Sequence, residues 1–260
     1  MKIATWNVNS IKARLDNAIA WLKDAAPDIV CLQELKCEDA AFPTSAFEEL
    51  GYNVITHGQK SYNGVAILSK PQPEDVRRGL PGDDDDSQAR YIEAAFSRKG
   101  GVIRVASIYL PNGNPLGTEK FDYKLRWMER LRAHAKQLLK LEEPLVLAGD
   151  YNVIPAPNDA KNPEAWTGDA LFQPESRASF RSIVHLGFTD AIRQMHGDAP
   201  GLYTFWDYQA GAWQRNNGIR IDHLLLSPQA ADLLKDARID REVRTQERPS
   251  DHVPVVIELA

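Results

Sequence analysis

Seven residues with oxygen-bearing or imidazole side chains stand at or just past the ends of apolar runs: Asn7, Glu34, Asp150, Asn152, Asp222, Asp251 and His252. Hard oxygen donors of this kind suit Mg²⁺ or Mn²⁺ rather than zinc, and there is no thiolate cluster. A divalent cation held by one or two carboxylates and a substrate phosphate serves phosphoester chemistry, because it neutralises charge on the phosphate and on the leaving oxygen. No Gly-x-Ser-x-Gly elbow is present and no Ser or Cys has an evident base beside it, so the expected attacking group is water. Asp150 is the candidate base for that water. His252, oriented by a carboxylate such as Asp222, is the candidate contact to a phosphate oxygen, where it would stabilise developing charge. Hydrolysis of a phosphodiester is the chemistry that fits these residues best.

Rigid elements must bring such side chains to one place. The run Leu145 to Val153 reads as a short buried strand that reaches Gly149 and then presents Asp150 and Asn152. Alternation along an extended segment sends those two side chains the same way, and Gly149 is expected to let the backbone bend or approach a ligand. Ile3 to Asn7, Ile29 to Glu34 and Ile219 to Asp222 repeat the arrangement, each running from apolar residues into an acid or amide. Several strands ending this way imply one shared site.

Around these strands the pattern is that of an α/β protein. Ser10 is placed to cap a helix with Ile11, Leu15, Ala18, Ile19 and Leu22 on one face, ended by Pro27. Tyr52 to Lys70 reads as two strands. Arg90 to Phe96 and Val102 to Tyr109 read as two more, the last stopped by Pro111 and Gly113. A long amphipathic helix is expected from Thr118 to about Leu141, with Phe121, Leu125, Met128, Leu131, Ala135 and Leu138 inward and its Lys and Arg residues in solvent. The acids Asp83 to Asp86 lack the alternating ligands of a calcium loop and read as a solvated turn. A further helix is expected near Glu175 to Leu186, and a final strand from Val255 to Leu259.

Composition sets the bounds. At 260 residues, 43% hydrophobic and 26% charged, the chain suits one large globular domain, residues 1–260. A net charge of −5 excludes bulk electrostatic attraction as the means of holding a polyanion, so a local basic face and bound metal would have to do it. No run approaches a membrane span or a signal-peptide core, so the cytoplasm is the expected compartment, and a single compact domain makes a monomer the expected state. Cys31 and Cys37 have no partners at zinc spacing and read as packing residues.

Seven short motifs in order carry a resemblance. Trp6-Asn7-Val8-Asn9-Ser10-Ile11, Leu32-Gln33-Glu34, Asn63-Gly64-Val65-Ala66-Ile67, Tyr109-Leu110-Pro111-Asn112-Gly113, Gly149-Asp150-Tyr151-Asn152, Arg220-Ile221-Asp222 and Ser250-Asp251-His252 are similar to those of the exonuclease III family of apurinic/apyrimidinic endonucleases. The likeness runs from the first strand to the last. It implies a four-layered α/β sandwich of two packed mixed β-sheets flanked by helices. It also implies incision of duplex DNA 5′ to abasic sites leaving a 3′-hydroxyl, removal of blocked 3′ ends, and 3′→5′ exonuclease action. By motif, Glu34 is the main metal ligand with Asn7 and Asp251 near the metal. Asp150 and Asn152 lie close by and handle the water, His252 paired with Asp222 binds phosphate, and Tyr109 lies beside phosphate or leaving group. Asn63, Arg90, Asn112, Trp206 and Arg220 match DNA-facing positions, and Phe205, Ile219 and Ile221 those lining a pocket for an extruded abasic sugar. A base-free sugar costs less to unstack and fits a small apolar pocket. Two other readings use the same residues: a related phosphoesterase acting on inositol phosphates or sphingomyelin, and a DNA-damage binding module without turnover.

Overall fold

Alternation along the first strand, β1 (Lys2–Asn7), sends Ile3, Thr5 and Asn7 to one face and Ala4 and Trp6 to the other. That is the plan of the whole molecule. In this computed structural model, which describes residues 1–260, one face of each central strand meets a second sheet and the opposite face meets helices. The first sheet comprises β1, β2 (Ile29–Gln33), β3 (Asn53–His57), β4 (Val65–Ser69), β11 (Leu234–Ile239) and β12 (Val255–Leu259), ordered β11-β12-β1-β2-β4-β3. The second comprises β5 (Pro73–Arg78), β6 (Tyr91–Arg98), β7 (Gly101–Tyr109), β8 (Leu145–Asp150), β9 (Thr189–Asp190) and β10 (Asp222–Leu226), ordered β5-β6-β7-β8-β10-β9.

Each sheet holds one parallel pair, β1 with β2 and β7 with β8, flanked by antiparallel neighbours. A parallel pair needs a crossover. Helices α1 (Leu15–Ala25) and, after the short α2 (Thr44–Glu48), α3 (Glu119–Leu138) lie in the chain so that α1 and α3 make these two crossovers. With α4 (Pro174–Val184) beside α3, the result is four layers: helix, sheet, sheet, helix.

Hydrophobic burial holds the layers together. Ile3, Ile29, Cys31, Ile67, Val105, Val146, Ala148, Leu224 and Ile257 belong to one apolar cluster between the sheets. Their neighbours one residue along pack outward: Ala4, Trp6, Val30 and Leu32 with Trp21 and Leu22 of α1, and Leu145, Leu147 and Leu225 with Trp127, Met128 and Leu131 of α3. Toward one end the inter-sheet filling turns polar. Gln33 donates to Thr5 Oγ1 and to Ser107 Oγ, both at 3.0 Å, and Ser107 donates to the Leu32 carbonyl at 3.0 Å. These wholly buried polar groups are satisfied by one another. Beyond them lie Asn7, Tyr109, Asp150 and Asp222.

Four local readings of the sequence change. The first helix begins at Leu15, not after Ser10, because residues 8–11 go on pairing with 33–35 past the strand ends: Val8, Ser10 and Ile11 N–H donate to Gln33, Glu34 and Leu35 carbonyls. On α3 the buried stripe runs through Lys124, Trp127, Met128, Leu131, Ala135 and Leu138, while Phe121 and Leu125 are only half-buried. Asp86 is not solvated; it accepts from Tyr123 and from Arg130, and its side chain is 6% exposed. Gly149 is required by space, not by a bend: a Cβ there would meet the Ile108 carbonyl oxygen at 2.0 Å, so no side chain fits where β7 and β8 approach.

Candidate active site

The C-terminal ends of the two parallel pairs face each other. In the first sheet Asn7 lies opposite Gln33, and Glu34 follows at φ 53°, a turn that brings its carboxylate back toward Asn7. In the second, Asp150 is flanked by Tyr109 on the parallel side and Asp222 on the antiparallel side. Asn7 joins the two sheets: its Nδ2 donates to Glu34 Oε1 and to Asp150 Oδ2, each at 2.9 Å. The carboxylates of two sheets thus share one amide.

His252 arrives from the segment before β12. Its carbonyl accepts from Trp6 Nε1 at 3.2 Å, and its own N–H donates to Ser250 Oγ at 3.2 Å. The ring places Nδ1 2.8 Å from Asp222 Oδ2 and Nε2 3.7 Å from Asp150 Oδ2. Thr204, absent from the residues singled out in the sequence, donates to Asp222 Oδ2 at 2.6 Å and so fixes the carboxylate that fixes the imidazole. The ring centroid of Phe205 is 5.0 Å from that of His252.

The charges follow from burial and pairing. Burial would strip His252 of its proton, but the carboxylates of Asp222 and Asp150 outweigh it and push the imidazolium up to about 10. Burial, with the Asp222 charge adding and His252 opposing, pushes Asp150 up to about 7. Burial would also raise Glu34, but the Asn7 amide and the Lys36 ammonium, 3.0 Å from Oε2, hold its carboxyl below the ordinary value. Burial and the charges of Glu34 and Asp150 keep the Tyr109 phenol well above its ordinary value, hence protonated.

Glu34, Asp150 and His252 each place a possible ligand atom within 4.8 Å of the others. The two carboxylates fit a hard divalent cation, with the Asn7 side chain next to both. His252 turns its Nε2 toward Asp150, its Nδ1 being held by Asp222 Oδ2.

Asn152, at φ 47°, bends its backbone N–H back to Asp150 Oδ1 at 2.9 Å. Its Nδ2 donates to the Leu110 carbonyl at 2.9 Å, and its Oδ1 accepts from the exposed Asn112 at 3.3 Å. Asp251 stands apart from the Glu34–Asp150–His252 group; its Oδ1 accepts from Asn9 Nδ2 at 3.1 Å. Arg90 lies over the Tyr109 ring, 4.9 Å from the centroid, and donates to Gln88, which Asn63 also approaches at 3.3 Å.

Two residues expected to face DNA are enclosed. Trp206, wholly buried, packs edge-on against Trp213 beneath Arg241. Arg220, also buried, donates to Asp159 at 2.6 Å and to Asp190 at 2.7 Å, an ion pair that holds it inside the protein, away from the surface. Ile219 and Ile221 are buried in a small apolar cluster with Ile154, Leu171 and Phe172, and of that neighbourhood Phe205 and Trp166 are the partly exposed members.

The Arg220 pair has a consequence for stability. His223 Nδ1 lies 3.1 Å from Arg220, and Nε2 lies 3.2 Å from the Val153 carbonyl. Burial, then the Arg220 charge, pulls the imidazole down to about 4 from 6.5. Between those values the unfolded chain binds a proton that the folded one does not, so this contribution is complete above about pH 6.5 and is lost as pH falls through about 4. Urea unfolding of the wild type should lose about 3 kcal/mol more over that fall than His223→Gln does. Parallel curves for the two proteins would contradict it.

A pair of mixed sheets with an acid, amide and histidine site at their strand ends defines the class: a phosphoester hydrolase built on a four-layered α/β sandwich. Residues 4–252 match the Endonuclease/Exonuclease/phosphatase family, and the chain belongs to that family. It is 35% identical over 262 residues to exodeoxyribonuclease III of Haemophilus influenzae, covering 98% of each chain. Among solved structures it is similar to the 3′ phosphatase NExo from Neisseria bound to a product DNA hairpin, with a TM-score of 0.96, 43% identity, and 100% of this chain and 99% of that one covered. It is likewise similar to an AP endonuclease from Archaeoglobus fulgidus, with a TM-score of 0.94, 40% identity and the same coverage. No helix is long and apolar enough to cross a membrane.

Proposed function

We propose that the chain is a DNA repair phosphodiesterase that incises duplex DNA on the 5′ side of abasic sites, leaving a 3′-hydroxyl. Clearing of blocked 3′ ends and 3′→5′ digestion follow from the same site. The observation that carries this reading is the junction of the two sheets, where Asn7 bonds Glu34 and Asp150 and where His252, held by Asp222, points at Asp150. Relatives across the full chain that are named as a deoxyribonuclease, a 3′ phosphatase and an AP endonuclease support DNA as the substrate.

Mg²⁺, or Mn²⁺ in its place, is the proposed cofactor, held by Glu34 with Asp150 and Asn7 adjoining. When bound it supplies charge neutralisation at the scissile phosphate and the leaving oxygen. The protein does the rest. Asp150, which binds its proton near neutrality, takes a proton from the attacking water while Asn152 orients that water. The His252 imidazolium donates to a non-bridging phosphate oxygen as charge builds there. Tyr109, protonated, lies at the same strand ends to donate a hydrogen bond. The P–O3′ bond breaks, the 3′-oxygen takes up a proton from solvent water and becomes the 3′-hydroxyl, the oxygen of the attacking water stays on the 5′-phosphate, and Asp150 returns the proton it took to solvent. Phe205 and Trp166, over Ile219 and Ile221, offer the apolar surface on which an extruded base-free sugar would rest.

Residues 1–260 act as one catalytic unit and a working monomer, since every group invoked comes from one chain. Two free buried cysteines suit the reducing cytoplasm.

The test is single-turnover cleavage of a duplex with one internal abasic analogue, against an undamaged duplex with a recessed 3′ end, each with Mg²⁺ and with chelator. Incision at the analogue that leaves a 3′-hydroxyl and is abolished by chelator is expected. Failure on both DNAs, with turnover of an inositol phosphate, would replace DNA by a small phosphoester.

A further inference from the structure

Lys124 is a lysine with no exposure at all. It projects from the buried face of α3, beside Trp127, Met128 and Leu131, where a long charged side chain would ordinarily reach out to water. Its Nζ donates instead to two main-chain carbonyls, Asn112 O at 3.0 Å and Asn152 O at 2.6 Å. These two residues are the ones whose side chains meet above it, Asn112 Nδ2 to Asn152 Oδ1 at 3.3 Å. The turn between β7 and α3 is moulded on the lysine stem. Gly113 sits at φ 89°, and a Cβ there would lie 2.6 Å from Lys124 Cδ. Asn152 is itself at φ 47°, in the left-handed region that asparagine enters more readily than most residues.

We propose that Lys124 is a positioning residue for the hydrolytic reaction: it clamps the Asn112 and Asn152 main chains together from below and so sets the Asn112–Asn152 side-chain pair beside Asp150. The inference rests on the reading above, in which Asn152 orients the water and Asn112 faces DNA. Lys124 touches neither substrate nor metal. It acts through the carbonyls of the residues that do, and the far end of the turn is pinned separately, Asn114 to Asp169 at 3.0 Å and to the Ala170 N–H at 3.0 Å. Loss of the clamp should therefore loosen the turn without releasing it.

The experiment compares wild type, Lys124→Met, Asn112→Ala and the double variant in single-turnover cleavage of the abasic duplex with Mg²⁺. It adds DNA affinity in chelator and hydrogen exchange at residues 111–115 and 151–154. Lys124→Met should lower the cleavage rate at saturating enzyme by about tenfold or more, as a small misplacement of a catalytic group does. It should weaken DNA binding by much less than it slows cleavage, and speed exchange in those two segments alone. In the double variant the two losses should fall well short of multiplying, because both substitutions disrupt one pair. A wild-type rate in Lys124→Met, or losses that multiply fully, overturns the clamp. If Lys124→Met does not fold, Lys124→Gln, which keeps two N–H donors on a shorter stem, should give an intermediate rate and exchange; a wild-type rate there overturns it equally. Asn152→Ala separates the two levels of the argument. An active Asn152→Ala removes the role of Asn152 and the clamp with it, whereas an inactive Asn152→Ala beside a fully active Lys124→Met removes the clamp alone.

Discussion

Asp150→Asn is expected to lower the single-turnover rate of abasic-site incision by about 10²–10⁴-fold, the range lost with a general base. The substitution keeps size and leaves an oxygen to accept from Asn7 Nδ2, which now bonds Asp150 Oδ2 at 2.9 Å, so the junction of the sheets should survive. What it removes is the only acid between Asn7 and His252 that can accept a proton near neutrality. Binding of DNA in chelator should hold or strengthen, since a buried negative charge beside a polyanion is gone. The pH profile gives the second signature: the wild-type rate should climb with pH as the carboxyl, held above the ordinary carboxylate value by burial, loses its proton, and the variant should lack that rise. Incision at the wild-type rate by Asp150→Asn would place the base elsewhere.

Asp222→Asn should cost about 10²–10³-fold, comparable to the removal of one charge-stabilising donor from a transition state. Asp222 never reaches the substrate; it is wholly buried and holds His252 Nδ1 at 2.8 Å. Its charge is the largest of those that keep the imidazolium protonated up to about 10 against the pull of burial. Without it the ring should lose its proton at a lower pH, so the alkaline limb of the rate profile should move down by a unit or more, toward the ordinary 6.5. An unchanged profile with only a lower plateau would mean that Asp222 acts through the shape of the Thr204–Asp222–His252 chain and not through its charge.

Much of this was legible in the sequence because the strands alternate strictly. Ile3, Thr5 and Asn7, or Val146, Ala148 and Asp150, run from core to site along one face, and a period of two carries that message without any partner being known. The residues that stayed hidden act through long-range pairing. Lys124 looks like a solvent-seeking cation until main-chain carbonyls from distant segments are seen to enclose it, and Arg220, expected to face DNA, is enclosed by the carboxylates of Asp159 and Asp190. Thr204 and Lys36 have no local signal at all; one needs Asp222 and the other Glu34 to acquire a role. Trp206 was expected to face DNA, and an aromatic run has no periodicity to say which ring turns inward. Glu34 was found by its place after a strand, but the turn that aims it depends on pairing of residues 8–11 with 33–35, which started α1 later than the apolar spacing implied.

The central claim is that water attacks phosphorus and the 3′-oxygen departs. Incision, in H₂¹⁸O with Mg²⁺, of a duplex carrying one true abasic site with its C1′ aldehyde, followed by mass analysis of both fragments, tests it most directly. One ¹⁸O atom on the 5′-phosphate of the downstream fragment and an unlabelled 3′-hydroxyl upstream are the expected products of a single turnover. Fragments free of ¹⁸O, with an unsaturated sugar at the new 3′ end, would show strand breakage by elimination and contradict the account.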